Sequence, residues 1–167
     1  MSMPGRDDKI HIVIREGRAP GSAQHGRARP DVVVEHNLIS DRHGLAFFGK
    51  LGRRPDSRKL DLMRAVIAAD RSSSLIYLRK SKGAFEAFGA PLRAVHTDQS
   101  AVRLPLVPEY YRDLAPNVSV WFEIGSFGRI PQRELNSLVL LSTGKSLLVT
   151  LRACRTSMML VRRKADN

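Results

Sequence analysis

Two adjacent tyrosines and an arginine, Tyr110, Tyr111 and Arg112, follow a proline-started turn, and the single tryptophan, Trp121, comes shortly after them. Aromatic faces beside a guanidinium are the groups on which proteins stack a nucleobase that has left its helix. Neighbouring aromatic residues also fill protein cores, and Trp121 fits that alternative. We therefore predict that Tyr110, Tyr111 and Arg112 meet a base or sugar, with Trp121 as a further candidate.

Arginine dominates the charge of the chain. The 167 residues include 28 Lys and Arg, of which 21 are Arg, against 16 Asp and Glu, for a formal net charge of +12. The guanidinium fork matches phosphate oxygens, and an excess of this size is typical of proteins that bind polyanions, nucleic acid above all. A basic surface without a specific ligand, or an acidic protein partner, would explain the same charge. The candidate phosphate contacts form two groups: Arg53, Arg54, Arg58 and Lys59, then Arg79, Lys80 and Lys82.

Motifs for catalysis are weak in this sequence. There is no Gly-x-Ser-x-Gly elbow and no phosphate-binding glycine loop, and the single Cys154 excludes a multi-cysteine zinc site. His36 and His43 lie too far apart in an irregular pattern to predict a metal site, and Glu123 is the one acid deep in an apolar run. We predict no cofactor and no metal. A metal-dependent enzyme acting on nucleic acid, through Glu123 or the His36 and His43 region, is the alternative.

The hydrophobic pattern predicts an α+β fold, mostly antiparallel β-structure with one main helix. Apolar residues recur at helical spacing over residues 58–70, with Asp56 or Ser57 as the N-cap. Residues 134–141 fit either a short helix or a strand. Short apolar runs bounded by turn residues predict strands over residues 9–15, 31–35, 44–50, 74–79, 91–96, 118–124, 146–151 and 157–161.

Composition divides the chain into three regions. Residues 1–30 hold a short strand and a flexible basic arm rich in Gly, Pro and Arg, residues 31–161 form a single compact domain, and residues 162–167 form a basic tail. No apolar run approaches the length of a membrane span, and the first residues lack the apolar core of a secretory signal. We expect a cytoplasmic protein that does not contact a membrane.

The order of the predicted elements resembles that of the PUA-like barrels, in particular the EVE-type readers of modified bases. The resemblance covers residues 31–161: a strand into Phe47-Phe48-Gly49-Lys50, a helix, the strand Leu75-Ile76-Tyr77-Leu78, a long connection, a Pro-Glu-Tyr-Tyr-Arg turn and a Trp-Phe strand. It implies a pseudobarrel with a pocket for one flipped base, modified or plain, and no catalysis. The tryptophan-rich entry strand of that family is missing here.

Three functional hypotheses follow. The leading one is a non-catalytic domain that binds DNA or RNA and reads a flipped or modified base. The second is the metal-dependent enzyme named above. The third is an interaction subunit of a larger restriction or RNA-processing assembly, in which an acidic protein partner meets the basic surface.

Overall fold

The computed structural model describes residues 9–16, 31–69, 72–154 and 156–164. The basic arm and the last three residues of the predicted tail lie outside these ranges. Five helices are present in the described part: α1 (Val32–His43), α2 (Ser57–Ala69), α3 (Glu109–Arg112), α4 (Gln132–Asn136) and α5 (Leu147–Ala153). The strands of this part are β1 (His11–Arg15), β2 (Ala46–Leu51), β3 (Ser74–Ser81), β4 (Ala84–His96), β5 (Val118–Ile124), β6 (Gly128–Ile130), β7 (Leu138–Leu140) and β8 (Met158–Arg163).

The eight strands form one mixed sheet in the order β2-β5-β4-β3-β1-β8-β7, and β6 pairs with β4 beside this path. Strands β1 and β3 run parallel, whereas the other described pairs are antiparallel. The α+β class predicted from the sequence is therefore confirmed. The predicted barrel closure is wrong for the described residues, because β2 and β7 end the order without pairing to each other.

Strand β4 is the longest of the described strands and belongs to two parts of the sheet. Its first half pairs with β3 and β6, and its second half pairs with β5. The change of partner falls around Pro91, which has no N–H to give to a ladder. The register with β5 shifts between Leu92 and Ala94, so Arg93 is the extra residue of a β-bulge. A bulge bends its strand and redirects a side chain.

Helix α1 replaces the strand predicted over residues 31–35. Asp31 caps it, because Asp31 Oδ1 accepts hydrogen bonds from the N–H groups of Val33 (3.0 Å) and Val34 (3.2 Å). Gly44, at φ 85°, ends it with a left-handed residue. A strand would turn Val32 and Val34 to the same side, yet Val34 is half exposed while the buried positions are His36 and Ser40. Two capping groups thus outweigh the β-preference of three successive valines.

Helix α5 replaces the strand predicted over residues 146–151. Leu147 and Leu151 are both buried, and four positions apart they share one face of a helix. A strand would put Val149 on that same face, but Val149 is 61% exposed. Residues 134–141, for which a helix and a strand were both open, contain the end of α4 and then β7. The other predicted strands and the helix predicted over residues 58–70 are found, with α2 at Ser57–Ala69.

The sheet carries apolar side chains on both faces. One face packs under α2, where Leu60, Met63 and Ile67 meet Leu92 and Val95. The other face packs under α4 and α5, through Leu135, Leu147 and Leu151 among others. A third cluster, with Phe47, Val107, Tyr111 and Trp121, lies between β2, β5 and the turns that follow β4. None of the described helices has the length and apolarity that a membrane crossing requires.

Asn37 joins α1 to the loop after β5. Its Nδ2 donates to the carbonyl oxygen of Phe127 (3.0 Å), and the Phe127 N–H donates to its Oδ1 (2.6 Å). Asn37→Ala removes both bonds and leaves the two backbone groups of a buried residue unpaired, so we expect the free energy of unfolding to fall by about 2–3 kcal/mol. Leu38→Ala, at a neighbouring position that is 64% exposed, should change it by less than about 0.5 kcal/mol. Urea denaturation measures both variants, and equal losses would contradict this account of α1.

Candidate nucleic-acid interface

The aromatic residues predicted to stack a base are packed inside the protein. Tyr111 is 6% exposed and Trp121 is 1% exposed. Their polar atoms are bonded internally: Tyr111 Oη donates to the Gly49 carbonyl oxygen (3.0 Å) and Trp121 Nε1 donates to Gln99 Oε1 (3.0 Å). Gly49 is required here, because a Cβ at this position would lie 2.9 Å from the Trp121 ring. Neither ring presents a face to a base, so the prediction that they meet one is corrected for this conformation.

Tyr110 covers the Tyr111 ring and is itself mostly enclosed. The two ring centroids are 4.5 Å apart with an interplanar angle of 31°. Burial raises the pKa of both phenols, and the Tyr110 hydroxyl has no hydrogen-bond partner in the described part of the chain. Arg112, the last residue of α3, is exposed and stands apart from this enclosed pair. Of the residues predicted at Tyr110, Tyr111 and Arg112, only Arg112 is fully available to a ligand.

His36 is completely buried in the same aromatic cluster. Its ring centroid lies 5.1 Å from that of Phe48 and 5.9 Å from that of Phe127. Nδ1 is 2.7 Å from the Val32 carbonyl oxygen, which can only accept, so Nδ1 carries the hydrogen. Burial lowers the pKa of His36 to about 4 and outweighs the carbonyls of Val32 and Phe47, which favour the protonated ring. His36 is thus a neutral core residue at physiological pH.

The groups weighed for catalysis do not converge. His43 is exposed in the last turn of α1, nearly two turns away from the buried His36. Glu123 is paired across the sheet with His96, with Oε1 and Nε2 3.1 Å apart. Within the described residues, no group of three His, Cys, Asp or Glu side chains could hold a metal ion.

Arg79 is held by the fold. Its Nε lies 2.8 Å from Glu86 Oε2, its Nη1 lies 3.3 Å from Asp31 Oδ2, and its guanidinium covers the Phe88 ring at 4.8 Å. The Arg79 guanidinium also holds the pKa of Glu86 below its usual value. Arg79 is therefore engaged within the fold, and its role as a phosphate contact stays a prediction. Lys80 and Lys82 remain exposed on the β3–β4 hairpin, where Lys82 (φ 49°) and Gly83 (φ 82°) form the turn.

The other predicted cations lie together at the start of α2. They are exposed, they have no carboxylate within 4 Å in the described part of the chain, and they comprise Arg53, Arg54, Arg58 and Lys59. Lys50 of β2 anchors this segment, since its Nζ donates to the Arg53 carbonyl oxygen (2.9 Å). Asp56 Oδ1 accepts from the Arg58 N–H (2.7 Å) and so occupies the helix end. We call residues 53–59 the basic loop.

An open cleft of about 830 Å³ lies beside α2, between this helix and the second half of β4. Arg64 projects from the helix side and Arg93 from the bulge of β4, while Ile67, Leu92 and Val95 line the apolar remainder. Arg64 makes one long contact, 3.8 Å to the exposed carboxylate of Asp61, and no ion pair of Arg93 is found among the described residues. We call this feature the α2–β4 cleft.

The sequence did not indicate Arg64 and Arg93 as site residues. Arg64 could have been found from the helix pattern, since it falls beside the apolar stripe of α2 rather than opposite it. The position of Arg93 in the cleft depends on the β-bulge. The only nearby sequence feature that indicates this bulge is Pro91, two positions earlier.

Because His36 stays neutral in the folded protein, we expect the free energy of unfolding to decrease as the pH is lowered. The pKa of His36 is about 4 in the folded protein and near 6.5 in the unfolded chain, so the unfolded chain binds the extra proton as the pH falls below 6.5. We expect a loss of about 2 kcal/mol between pH 7 and pH 5 from this residue. Urea denaturation at both pH values should show this loss in the unsubstituted protein and in His43→Gln, but not in His36→Gln. A full loss in His36→Gln would contradict the assignment.

The basic loop and the α2–β4 cleft form one cationic surface on one side of the sheet. The aromatic rings and the paired acids are elsewhere, in the core or in ion pairs. Comparisons of this chain with protein-family models, with curated proteins and with solved structures found no match. The assignment of function therefore depends on this surface.

Proposed function

We propose that the chain is a non-catalytic nucleic-acid-binding protein that holds a phosphate backbone along the basic loop and the α2–β4 cleft. The observation that carries this proposal is the set of exposed cations at the start of α2 and in the cleft beside it. In the described part of the chain they have no carboxylate within 4 Å, apart from the 3.8 Å contact of Arg64 with Asp61. A single exposed cation in water has little effect on the free energy of folding. Several cations close together repel one another unless a polyanion neutralises them. Neutralising them with phosphates releases counterions, which is the main source of non-specific affinity for nucleic acid.

The cations lie before α2 and along its first two turns. Arg58 and Arg64 are six positions apart on α2, which corresponds to a rise of about 9 Å along the helix axis and a separation of about 120° around it. Arg53 and Arg54 extend the row beyond the start of the helix, and Arg93 faces Arg64 across the cleft. Asp61 is the single acid between Arg58 and Arg64, and its carboxylate is 77% exposed. The row therefore keeps a strong net positive charge.

The shape of the cleft fits the phosphate backbone of a nucleic acid better than it fits an enclosed small-molecule substrate. It is a groove open to solvent, with an apolar lining from Ile67, Leu92 and Val95 between two guanidinium groups. Arginine binds phosphate with two parallel hydrogen bonds, and sugar carbons can lie on apolar side chains. A groove of this kind has no group aimed at a scissile bond.

Membership of the PUA-like barrels, with reading of a flipped or modified base, is the finer form of this proposal. The order of elements supports it, although the sheet of the described residues is not closed into a barrel. Tyr110, Tyr111 and Trp121 cannot serve as the reader in this conformation. The aromatic rings that a guanidinium meets near the surface are Phe88, with Arg79 at 4.8 Å, and Phe85, with Arg15 at 5.4 Å. A base would stack at Phe88, which lies on the face of the sheet under α2, whereas Phe85 lies on the opposite face.

Charge reversal in the cleft should weaken binding. We expect Arg64→Glu with Arg93→Glu to lower the affinity for a single-stranded oligonucleotide at least tenfold, because two phosphate contacts are replaced by repulsion. The slope of log affinity against log salt concentration should also become shallower by about one to two. Fluorescence anisotropy with DNA and RNA at several salt concentrations measures both quantities.

The matched control is Arg133→Glu with Arg152→Glu. It changes the net charge equally, on α4 and α5, which cover the opposite face of the sheet. Equal losses in the two double variants would show that only total charge matters and would overturn the proposed surface. An absence of binding at low salt would overturn the nucleic-acid function itself.

The base-reading form has a separate test. We expect Phe88→Ala to reduce any preference for an oligonucleotide with a modified base over the plain one, while the affinity for the plain oligonucleotide changes less than threefold. Phe85→Ala is the comparison on the other face of β4. If the unsubstituted protein binds modified and plain oligonucleotides equally, base reading is excluded for the modifications in the panel, and the phosphate-binding proposal stands.

A further inference from the structure

A second cleft, of about 530 Å³, lies on the face of the sheet opposite α2. It opens where β1 and β3 begin and where β6 and α4 approach them. Ser74 and Ile76 of β3, Gly89 of β4, Gly128 of β6 and Arg163 of β8 line it. None of the cations of the basic loop or of the α2–β4 cleft contributes to it. It is therefore a site of its own, independent of the proposed nucleic-acid surface.

The floor of this cleft is bare backbone. Gly89 and Gly128 are direct partners in the pairing of β4 with β6, and Gly128 is the one left uncovered, because the Ile130 side chain lies over Gly89. A Cβ on Gly89 would meet Ile130 Cδ1 at 3.0 Å, whereas a Cβ on Gly128 would meet nothing within 4 Å. Gly128 does not have a positive φ, so its backbone would accept any residue. Glycines within strands mark places where another group approaches the backbone closely.

Apolar side chains flank the bare patch. Ile76 is the direct partner of Gly89 on β3 and belongs to the core cluster of this face. Ile130, two residues after Gly128, and Leu138 complete the apolar lining. A flat strip of backbone between branched aliphatic side chains is shaped to receive a planar ring.

Polar groups stand at the rim of the same cleft. Arg163 is the last residue of β8 and pairs with Glu134 at 3.4 Å, with both side chains about half exposed. Exposed ion pairs of this kind add little stability, so Arg163 can exchange this partner for a ligand anion. The Ser74 N–H donates to His11 Nδ1 (3.0 Å), while the Ser74 hydroxyl makes no hydrogen bond among the described residues. A cation and a free hydroxyl are thus available.

We infer that this cleft binds a small planar molecule that carries one anionic group. The ring would lie over Gly128, against the Ile130 side chain. The carboxylate or phosphate would receive hydrogen bonds from Arg163 and from the Ser74 hydroxyl. This inference goes beyond the proposed nucleic-acid binding and uses none of its residues.

The test is a titration of the ¹⁵N-labelled protein followed by amide chemical shifts. The probes are benzoate and adenosine monophosphate, which carry a carboxylate and a phosphate, with benzamide and adenosine as their neutral counterparts. We expect saturable shifts at Ser74, Gly89 and Gly128 with at least one anionic probe, and at least tenfold weaker binding of its neutral counterpart. The probe that binds more tightly identifies the anionic group.

Two variants and a matched control decide whether the contacts are the proposed ones. A Cβ at position 128 meets nothing within 4 Å, so we expect Gly128→Leu to fill the cleft and abolish the shifts, while oligonucleotide affinity stays unchanged. Arg163→Ala should weaken the anionic probe at least tenfold, and Arg162→Ala, on the other side of β8, should leave it unchanged. If Gly128→Leu fails to fold, the comparison of the two arginines decides alone. Equal effects of the two arginines, binding unaltered in Gly128→Leu, or no binding of any probe would overturn the inference.

Discussion

The bend of β4 is the constraint on which the rest of the structure depends. One strand has to pair with β3 and β6 in its first half and with β5 in its second, so it must turn where it changes partners. Pro91 and the bulge at Arg93 allow this turn without a broken ladder, since Pro91 gives up an N–H and the bulge absorbs one residue. Both clefts flank the bend, and Pro91 lines each of them. The geometry of pairing thus creates the concave surfaces of the molecule.

A partly exposed set of polar contacts joins α1 to the loop after β5. Asn37 bonds both backbone groups of Phe127, and Ser126 joins Ser40 and Asp41 of α1 at 2.6 Å in each case. Asp31 serves α1 twice, as its N-cap and as an ion-pair partner of Arg79. These contacts give α1, the enclosed His36 and the neighbouring tyrosines a structural role. In the described part of the chain, Arg53, Arg54, Arg58 and Lys59 at the start of α2 have no carboxylate within 4 Å.

The sequence predicted the elements whose signal is local. The apolar stripe of α2, the alternation of β5 and the uneven charge are all visible without the structure. Helix α1 was missed because three valines favour a strand, although Asp31 and Gly44 at its two ends were readable signals. The tyrosines were assigned to the surface because nothing local says which aromatic rings share a core. The α2–β4 cleft was beyond reach, since Arg64 and Arg93 are brought together only by the pairing of β4 with β5.

The central claim is that the uncompensated cations beside α2 hold phosphates, and amide chemical-shift mapping with a short oligonucleotide tests it most directly. The account predicts that the largest shifts fall on residues 53–64 and on Arg93 and its neighbours, and that they fade as salt is added. Shifts confined to α4 and α5, or spread evenly over all exposed arginines, would contradict it.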